Sequence, residues 1–340
     1  MADVRSLPYR LVSEAPTEPV LTVDGAFGAP GLELSHWPGN RTPRDLRHRL
    51  STGSALAFAA LPAAERARRT AGLTAVANNH YDTDGLCAAW VVLHPERALG
   101  LREPLLHTAA CGDFFQLPNE AAFARDVLIQ ACVDRERSPL AEALRGLDDH
   151  ARRERASAYV LERLGDWLAS GLEDAPLADH RECWLPALER LRADLAALDL
   201  AEVHSVGALD LTCFRVESAA NRPSAPGRHA CFGRTARDRV LCSVATDGGW
   251  HHRLVVGTRS WFDLDPAEAP PARFDLEAAV ERLEALEPAR DAHRWRCDSG
   301  PHPSPELWFG GPSHAAFEEH HADLAPSRLD PEAVVAALEA

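Results

Sequence analysis

Lysine is absent from this chain, in which every fixed side-chain cation is an arginine. The absence excludes a P-loop lysine, a Schiff-base lysine and a pyridoxal phosphate attachment site, because each of them needs a primary amine. Cysteine occurs eight times but never in a Cys-x-x-Cys pair. Buried, reduced thiols are the ordinary reading of that pattern, so we expect a cytoplasmic protein.

Long apolar runs are also absent. No run approaches the roughly 20 residues that span a bilayer, and the first residues lack the apolar core of a signal peptide. We therefore expect no membrane partner. The formal net charge of −15 argues against an extended nucleic-acid partner, because binding to phosphates depends on cations. The sequence allows a homodimer but does not decide the oligomeric state.

The first part of the chain alternates short apolar runs with helical patterns. Runs at residues 19–25, 32–37 and 73–78 predict strands, and three- and four-residue apolar spacing over 119–172 predicts two or three helices. Thr42 before Pro43 predicts a helix start, and a further helix is predicted from Pro186.

From about residue 203 the pattern changes to closely spaced strands. Residues 208–216, 228–233, 239–245 and 252–257 read as strands, and the T-D-G-G sequence at 246–249 predicts a hairpin. The expected fold class is therefore α/β, with an N-terminal parallel-sheet domain over residues 1–205. A smaller C-terminal antiparallel α+β domain would follow over residues 206–340.

The sequence H-Y-D-T-D-G at residues 80–85 follows an apolar run and precedes a helical pattern. In an extended backbone His80, Asp82 and Asp84 would point to one side. Imidazole and carboxylate ligands suit Mn²⁺, Fe²⁺ or Zn²⁺. The alternative is structural: Asp84 caps the helix, Asp82 shapes the turn, and His80 is a satisfied polar group.

A second motif, S-H-W-P-G-N, lies at residues 35–40. A histidine at a strand end followed by an aromatic residue and a tight turn can present both rings at a cleft. We expect His36 to act as a ligand or general acid, and Trp37, Arg41 and Asn79 to contact substrate. The alternative is a core tryptophan beside a turn. Arginine is the only fork-shaped phosphate donor in the chain.

The sequence at 80–85 resembles the first motif, H-x-D-x-D-G, of the DHH phosphoesterase superfamily. That resemblance implies hydrolysis of phosphodiesters or phosphoanhydrides with two Mn²⁺ or similar ions, a parallel-stranded first domain and a smaller domain that closes over the cleft. It implies that His80 and Asp82 bind one ion and Asp84 the second. Asp113 would be the family's strand-end aspartate, which often bridges the metals.

The motif that names the superfamily, Asp-His-His after an apolar strand, is missing in that form. Asp148-Asp149-His150 and His251-His252 are candidate substitutes, and His36 is another source of the histidine. The S-H-W-P-G-N and H-x-D-x-D-G motifs together also resemble an uncharacterised bacterial family of unknown function, over the whole chain.

The sequence thus predicts a metal-dependent phosphoesterase that acts on a small phosphorylated or nucleotide substrate. Mn²⁺ or another divalent cation would be the cofactor, held by His80, Asp82, Asp84 and Asp113, with His36 and Asp84 as catalytic residues. Two alternatives stay open. One is a catalytically degenerate protein that binds a ligand or partner, and the other is a hydrolase with one metal held by His36, His80 and Asp82.

Overall fold

The chain forms an α/β structure with two separate β-sheets, one parallel and one mixed. The computed structural model describes residues 7–217, 225–258, 275–288, 292–298, 304–312 and 323–340. The described residues divide into two compact units between Glu189 and Arg190. The two-part organisation was predicted with its boundary later in the chain, after residue 205.

The first unit contains four short strands and a series of helices. Its strands are β1 (Tyr9–Leu11), β2 (Val20–Val23), β3 (Gly31–Leu34) and β4 (Val76–Asn78). Its helices are α1 (Ser51–Ala59), α2 (Ala63–Arg69), α3 (Thr83–Leu93), α4 (Pro95–Gly100), α5 (Arg102–Phe114), α6 (Glu120–Ala131), α7 (Ala141–Leu144), α8 (Asp149–Ala169) and α9 (Ala175–Ala178). Helix α10 (Arg181–Leu198) runs across the division.

All strand pairs of the first sheet are parallel, in the order β1-β4-β2-β3. Every residue of β2 and β4 is buried, which explains their nearly continuous apolar sequence. The parallel sheet predicted for the N-terminal part is therefore confirmed. Because the strands are parallel, their carboxyl ends lie at one edge of the sheet, where ligands bind in folds of this kind.

Two predicted helix starts were wrong in detail. Thr42 does not cap a helix, because its hydroxyl binds Ser35, donating to the carbonyl oxygen (2.7 Å) and accepting from the N–H (2.8 Å). A short 3-10 turn (Arg44–Leu46) follows instead, and the helix begins at Ser51. Pro186 lies inside α10 rather than in its first turn. The helices predicted over residues 119–172 are confirmed as α6, α7 and α8.

The second unit is built on a six-stranded mixed sheet. Its elements are β5 (Glu202–Val206), β6 (Leu211–Val216), α11 (Arg228–Phe232), β7 (Arg239–Thr246), β8 (Gly249–Val256), α12 (Leu276–Leu286), β9 (Arg294–Cys297), β10 (Glu306–Gly310) and α13 (Pro331–Glu339). The strand order is β5-β6-β7-β8-β10-β9. The β6–β7 pair is parallel, so the purely antiparallel sheet that was predicted is wrong at this pair. The hairpin between β7 and β8 is confirmed.

The predicted strand at residues 228–233 is a short helix, α11. Its first residue, Arg228, is 8% exposed, and its Nε donates to the buried Glu306 carboxylate at 2.7 Å. Arg253 on β8 donates to the same carboxylate. The buried charge is therefore paired within the second unit, as buried charges require. None of the helices in the described ranges combines the length and apolar character needed to cross a membrane.

Candidate metal centre

Asp24 follows β2 at the carboxyl edge of the parallel sheet. Its backbone has φ 64°, the left-handed region that Asp, Asn and Gly tolerate better than other residues. Its N–H donates to the carbonyl oxygen of Leu34 at 3.0 Å, which ties it to the end of β3. Asp24 is fully buried. Its two carboxylate oxygens point to two different groups of side chains, which are described next.

The outer group consists of Asp24, His80 and Asp82. His80 Nε2 lies 2.8 Å from Asp24 Oδ2 and 3.0 Å from Asp82 Oδ2. Asp82 caps α3, because its Oδ1 accepts the N–H of Gly85 at 2.8 Å. The side chains of His80 and Asp82 are 29% and 22% exposed, so solvent reaches this group.

The inner group consists of Asp24, His36, Asp84 and Asp113. His36 Nε2 lies 3.2 Å from Asp24 Oδ1 and 3.3 Å from Asp113 Oδ2. Asp84 Oδ2 is 3.8 Å from the same imidazole, at Nδ1. The His36 and Asp84 side chains are 2% and 0% exposed, against 15% for Asp113. The inner group is therefore more deeply buried than the outer group.

Both histidines have their Nδ1 atoms occupied by an oxygen acceptor. His36 Nδ1 lies 2.7 Å from the carbonyl oxygen of Arg49, and His80 Nδ1 lies 2.7 Å from Asn79 Oδ1. Because Asn79 Oδ1 and a backbone carbonyl accept, each Nδ1 carries the proton. Each Nε2 is therefore directed at carboxylates, the arrangement by which proteins orient histidine ligands toward a metal ion.

Asp84 is held by the start of another helix. Its Oδ2 accepts the N–H of Ser51 at 2.7 Å, and its Oδ1 accepts the N–H of Thr52 at 2.9 Å. Helix α1 begins at these residues and has no side-chain cap of its own. Asp84 thus supplies the acceptors that a helix N-terminus lacks, and α1 in turn orients the carboxylate. Ser51 Oγ also donates to Asp24 Oδ1 at 2.8 Å.

The electrostatics of the outer group favour an ion pair within it. Burial disfavours the charged imidazolium of His80, but the Asp82 and Asp24 carboxylates outweigh burial and hold its pKa well above the ordinary value. Burial likewise disfavours the Asp24 carboxylate, while the His80 and His36 imidazoles bring its pKa well below the ordinary value.

The remaining carboxylates retain protons more readily than usual. Burial and the neighbouring Asp24 charge raise the pKa of Asp84 to about 6. Burial and the charges of Asp84, Asp82 and Asp24 raise the pKa of Asp113 well above its ordinary value. Crowded carboxylates behave in this way when no cation separates them. A divalent cation would relieve this repulsion by taking the place of the protons.

The donor set and its spacing fit divalent ions. Two imidazole nitrogens and four carboxylates match Mn²⁺, Fe²⁺ or Zn²⁺. Ligand atoms about 2.1 Å from an ion and at right angles to one another lie about 3 Å apart. The Nε2-to-oxygen distances of 2.8–3.3 Å are of that size. Asp24 offers one oxygen to each group, so it would bridge two ions.

The predicted ligands meet in space, but not as one cluster. His80 and Asp82 belong to the outer group, whereas Asp84 and Asp113 belong to the inner group with His36. The expectation that residues 80, 82 and 84 extend from a strand was wrong, because β4 ends at Asn78 and α3 begins at Thr83. Asp84 therefore points from the first turn of the helix to the other side of Asp24.

Asp113 does not follow a strand, as the resemblance implied. It lies in the last turn of α5, and this helix carries its carboxylate to His36. The residue that belongs to both groups is Asp24, which sequence reasoning missed. One sequence signal could have identified Asp24: it is an acid directly after the buried strand β2. The next strand, β3, ends close to His36.

The three predicted substrate contacts lie in different surroundings. Trp37 Nε1 donates to Asp24 Oδ1 at 3.3 Å, and its ring packs edge-on against His80 with 5.8 Å between centroids. Asn79 orients His80 as described. Arg41 lies apart from both groups: its guanidinium binds the carbonyl oxygen of Ala29 and the Glu33 carboxylate.

The candidate substitutes for Asp-His-His have structural roles. Asp148 caps α8 by accepting the N–H of Ala151 at 2.8 Å. His252 is fully buried in the second unit, where Nδ1 binds Ser243 Oγ at 2.8 Å and Nε2 binds the carbonyl oxygen of Leu329 at 3.0 Å. Both ring nitrogens of His252 are thus used by the protein.

Comparison with known proteins places the chain in a family without assigning an activity. Neither the curated protein sequences nor the solved structures include a match. The comparisons contain nothing that points to the DHH superfamily. The family of unknown function DUF6687 matches residues 3–340, which is nearly the whole chain. The chain therefore belongs to this family, in agreement with the resemblance of its two motifs to a family of unknown function.

Proposed function

We propose that this protein is a metal-dependent phosphoesterase that acts on a small phosphorylated or nucleotide substrate, with Mn²⁺ or a similar divalent ion as cofactor. The observation that carries the proposal is the position of Asp24, whose two oxygens face two histidines that are both oriented through Nδ1. A structural cluster does not require two histidines prepared in the same way around one shared carboxylate.

The charge of the site makes a phosphorylated substrate depend on bound cations. Four carboxylates would repel a phosphate group, so an anionic substrate can approach only after cations have bound. Two ions about 4 Å apart can polarise a phosphoryl group and supply hydroxide from bound water. The outer group is the part that solvent reaches, so we propose that substrate enters there.

The residues divide into proposed roles. His80, Asp82, Asp84 and Asp113 would be ligands, as predicted, and Asp24 would bridge. His36 was predicted as a ligand or general acid. Its burial and its Nε2 contacts favour the ligand role. Asp84 was also predicted to be catalytic. The first residues of α1 hold both of its oxygens in a fixed orientation, which favours the ligand role. Trp37 would orient the bridging carboxylate through its indole N–H.

The DHH resemblance belongs to this proposal in a changed form. The family pattern places a strand-end aspartate and a strand-end histidine after the H-x-D-x-D-G motif. In this chain Asp24 follows β2 and His36 follows β3, both before the motif at residues 80–85. The same types of ligand, at the ends of neighbouring parallel strands, support a related two-ion chemistry with a different order along the chain.

Metal titration tests the proposal. Isothermal titration of the EDTA-treated protein with Mn²⁺ should give two ions per chain. Asp24→Asn keeps the backbone conformation, because Asn tolerates positive φ, but removes the bridging charge. We expect this variant to bind both ions at least about tenfold more weakly, which is the lower end of the range for disturbed metal sites. Asp149→Asn, an exposed acid at the start of α8, should bind like the wild type.

Activity is tested with bis-(p-nitrophenyl) phosphate, p-nitrophenyl phosphate and a set of dinucleotides, each with and without Mn²⁺. Turnover that requires Mn²⁺ and is lost in Asp24→Asn supports the proposal. A wild-type protein that binds no divalent ion at neutral pH would contradict it.

The second candidate is a catalytically degenerate protein that binds a ligand or partner in the same place. One observation favours it: His80 already forms an ion pair with Asp24 and Asp82, so the outer group is satisfied by a proton alone. A protein of this kind would show no Mn²⁺-dependent turnover on any substrate of the set. Its ligand specificity would be set by other residues, so Asp24→Asn would not change that specificity.

A further inference from the structure

Asn78 has an amide nitrogen for which the described part of the chain offers no hydrogen-bond partner. The residue ends β4 and is fully buried. Its Oδ1 accepts the N–H of Asn79 at 2.8 Å, which sets the orientation of the amide. Among the described residues, Asn78 Nδ2 has no hydrogen-bond partner. A buried donor without a partner destabilises the fold, and native proteins contain few of them.

The amide nitrogen of Asn78 lies close to the outer carboxylates. A Cβ atom on Gly85 would stand 2.2 Å from Asn78 Nδ2, 2.8 Å from Asp82 Oδ1 and 3.1 Å from Asp24 Oδ2. The three atoms therefore all lie within 3.1 Å of one point, which is free of side-chain atoms because residue 85 is glycine. Asp82 Oδ1 already accepts the Gly85 N–H. A carboxylate oxygen has more than one lone pair, so it can accept a second hydrogen bond.

We propose that Asn78 is a positioning residue for the outer ion, and that its Nδ2 donates to the carboxylates of Asp82 and Asp24 when a divalent cation is bound. This inference rests on the proposed function. Without the ion, the proton on His80 holds the two carboxylates. When the ion replaces this proton, the carboxylate lone pairs of Asp82 and Asp24 that do not bind the ion need a hydrogen-bond donor. Asn78 Nδ2 is a buried donor beside them.

The test compares Asn78→Ala with the wild type in Mn²⁺ titrations. We expect the dissociation constant of the outer ion to rise about 10- to 100-fold, the usual effect of removing a hydrogen bond to a metal ligand. The affinity for the inner ion should not change. Titration of His80→Ala measures that affinity separately, because His80 belongs only to the outer group. Thr108→Val, on α5, is the matched control, since it removes another buried polar atom that has no partner among the described residues.

A second readout separates positioning from a purely structural role. The rise in melting temperature caused by saturating Mn²⁺ should be smaller in Asn78→Ala than in the wild type. A purely structural residue would lower the melting temperature equally with Mn²⁺ and with EDTA. Asn78→Val, whose β-branched side chain suits a strand, takes the place of Asn78→Ala if that variant does not fold.

The outcomes of the two proposals differ. A wild type with two ions, together with an Asn78→Ala variant of unchanged affinity and unchanged Mn²⁺ stabilisation, overturns the role of Asn78 and leaves the proposed function standing. A wild type that binds no ion overturns both. Loss of the outer ion alone in Asn78→Ala, with Thr108→Val unaffected, supports the role of Asn78.

Discussion

At the scale of single residues, the acids of the outer and inner groups differ from ordinary surface acids in how tightly they hold protons. Burial disfavours charge on both His80 and Asp84, yet His80 keeps its proton because two carboxylates face it. Asp84 releases its proton at a higher pH than an ordinary aspartate, because burial and Asp24 both act against ionisation and raise its pKa to about 6. The protons of these residues occupy the places that cations would take.

This gives a prediction about pH. A pKa that is raised in the folded state means that protons stabilise the ion-free protein at acidic pH, and this stabilisation is lost as pH rises through the folded pKa values. Bound Mn²⁺ must displace those protons. The increase in melting temperature caused by Mn²⁺ should therefore be larger at about pH 8 than at about pH 5.5. For each proton displaced, the apparent affinity for Mn²⁺ should rise by up to about tenfold per pH unit.

Differential scanning fluorimetry with Mn²⁺ or EDTA at the two pH values measures this effect. Groups far from the site cancel in the difference between the two additions. His80→Gln should show a shallower dependence on pH, because one exchangeable proton is gone. An increase that is the same at both pH values would contradict the assignment of His80 and Asp84 as proton-bearing ligands.

At the scale of elements, the site depends on helix ends as much as on strands. Asp82 caps α3 through the Gly85 N–H, and Asp84 supplies the acceptors for the first residues of α1. A helix N-terminus carries partial positive charge, so each element stabilises a carboxylate that also belongs to a ligand group. The candidate site and the packing of α1 on α3 are thus coupled.

The coupling predicts a difference between two variants. Asp84→Ala and Asp84→Asn both remove the charge, but Asn keeps one carbonyl oxygen that can accept from Ser51 or Thr52. Asp84→Ala should therefore lower the free energy of unfolding by about 1–2 kcal/mol more than Asp84→Asn does, the size of a lost helix cap. Urea denaturation of the EDTA-treated proteins measures it.

The same pair of substitutions at Asp149, an exposed residue of α8, serves as the control and should differ little. Equal destabilisation by Asp84→Ala and Asp84→Asn would mean that α1 does not depend on the Asp84 oxygens.

The sequence predicted some elements well for identifiable reasons. The strands around residues 20 and 76 are fully buried and short, so their apolar runs were clear. The hairpin at residues 246–249 was recognisable from its turn residues. Residues 228–233 were predicted as a strand from their short spacing to the neighbouring strand patterns, but Arg228 starts α11 and pairs with the buried Glu306 inside the second unit. A tertiary charge pair overrode the local pattern.

The candidate site was predictable only in part. H-x-D-x-D-G is a local pattern, so His80, Asp82 and Asp84 could be found along the chain. Asp24 could be recognised as an acid directly after a predicted strand, but its place beside His80 and Asp82 depends on β2 lying beside β4 in the parallel sheet. That neighbour relation involves residues more than fifty positions apart, and the sequence between them contains no pattern that reports it.

At the scale of the whole molecule, the outer and inner groups lie in the first unit, and the buried ion pairs of Glu306 with two arginines lie in the second. The second unit has its own hydrophobic core, and Glu306 is fully buried there between Arg228 and Arg253. Replacing one partner of a buried ion pair leaves an uncompensated charge, which costs about 3–5 kcal/mol. We expect this cost in Glu306→Gln.

Scanning calorimetry tests the separation of the units. Glu306→Gln should lower the transition temperature of the second unit, and Mn²⁺ should not restore it. Mn²⁺ should raise the transition temperature of the first unit in both the wild type and Glu306→Gln. Glu332→Gln is the matched control, because its ion pair with Arg215 is 70% exposed on the glutamate side and should contribute at most about 1 kcal/mol. A single transition that responds equally to Mn²⁺ and to Glu306→Gln would contradict this prediction.

The backbone of Asp24 has a consequence for how this site can change over generations. At φ 64° the position readily accepts only aspartate, asparagine or glycine. Aspartate and asparagine codons differ by one base, so a single mutation can discharge the shared carboxylate while it keeps the turn intact. If the proposed ions bind here, relatives that do not bind them should carry asparagine at this position more often than any larger residue, and they should keep the rest of the fold.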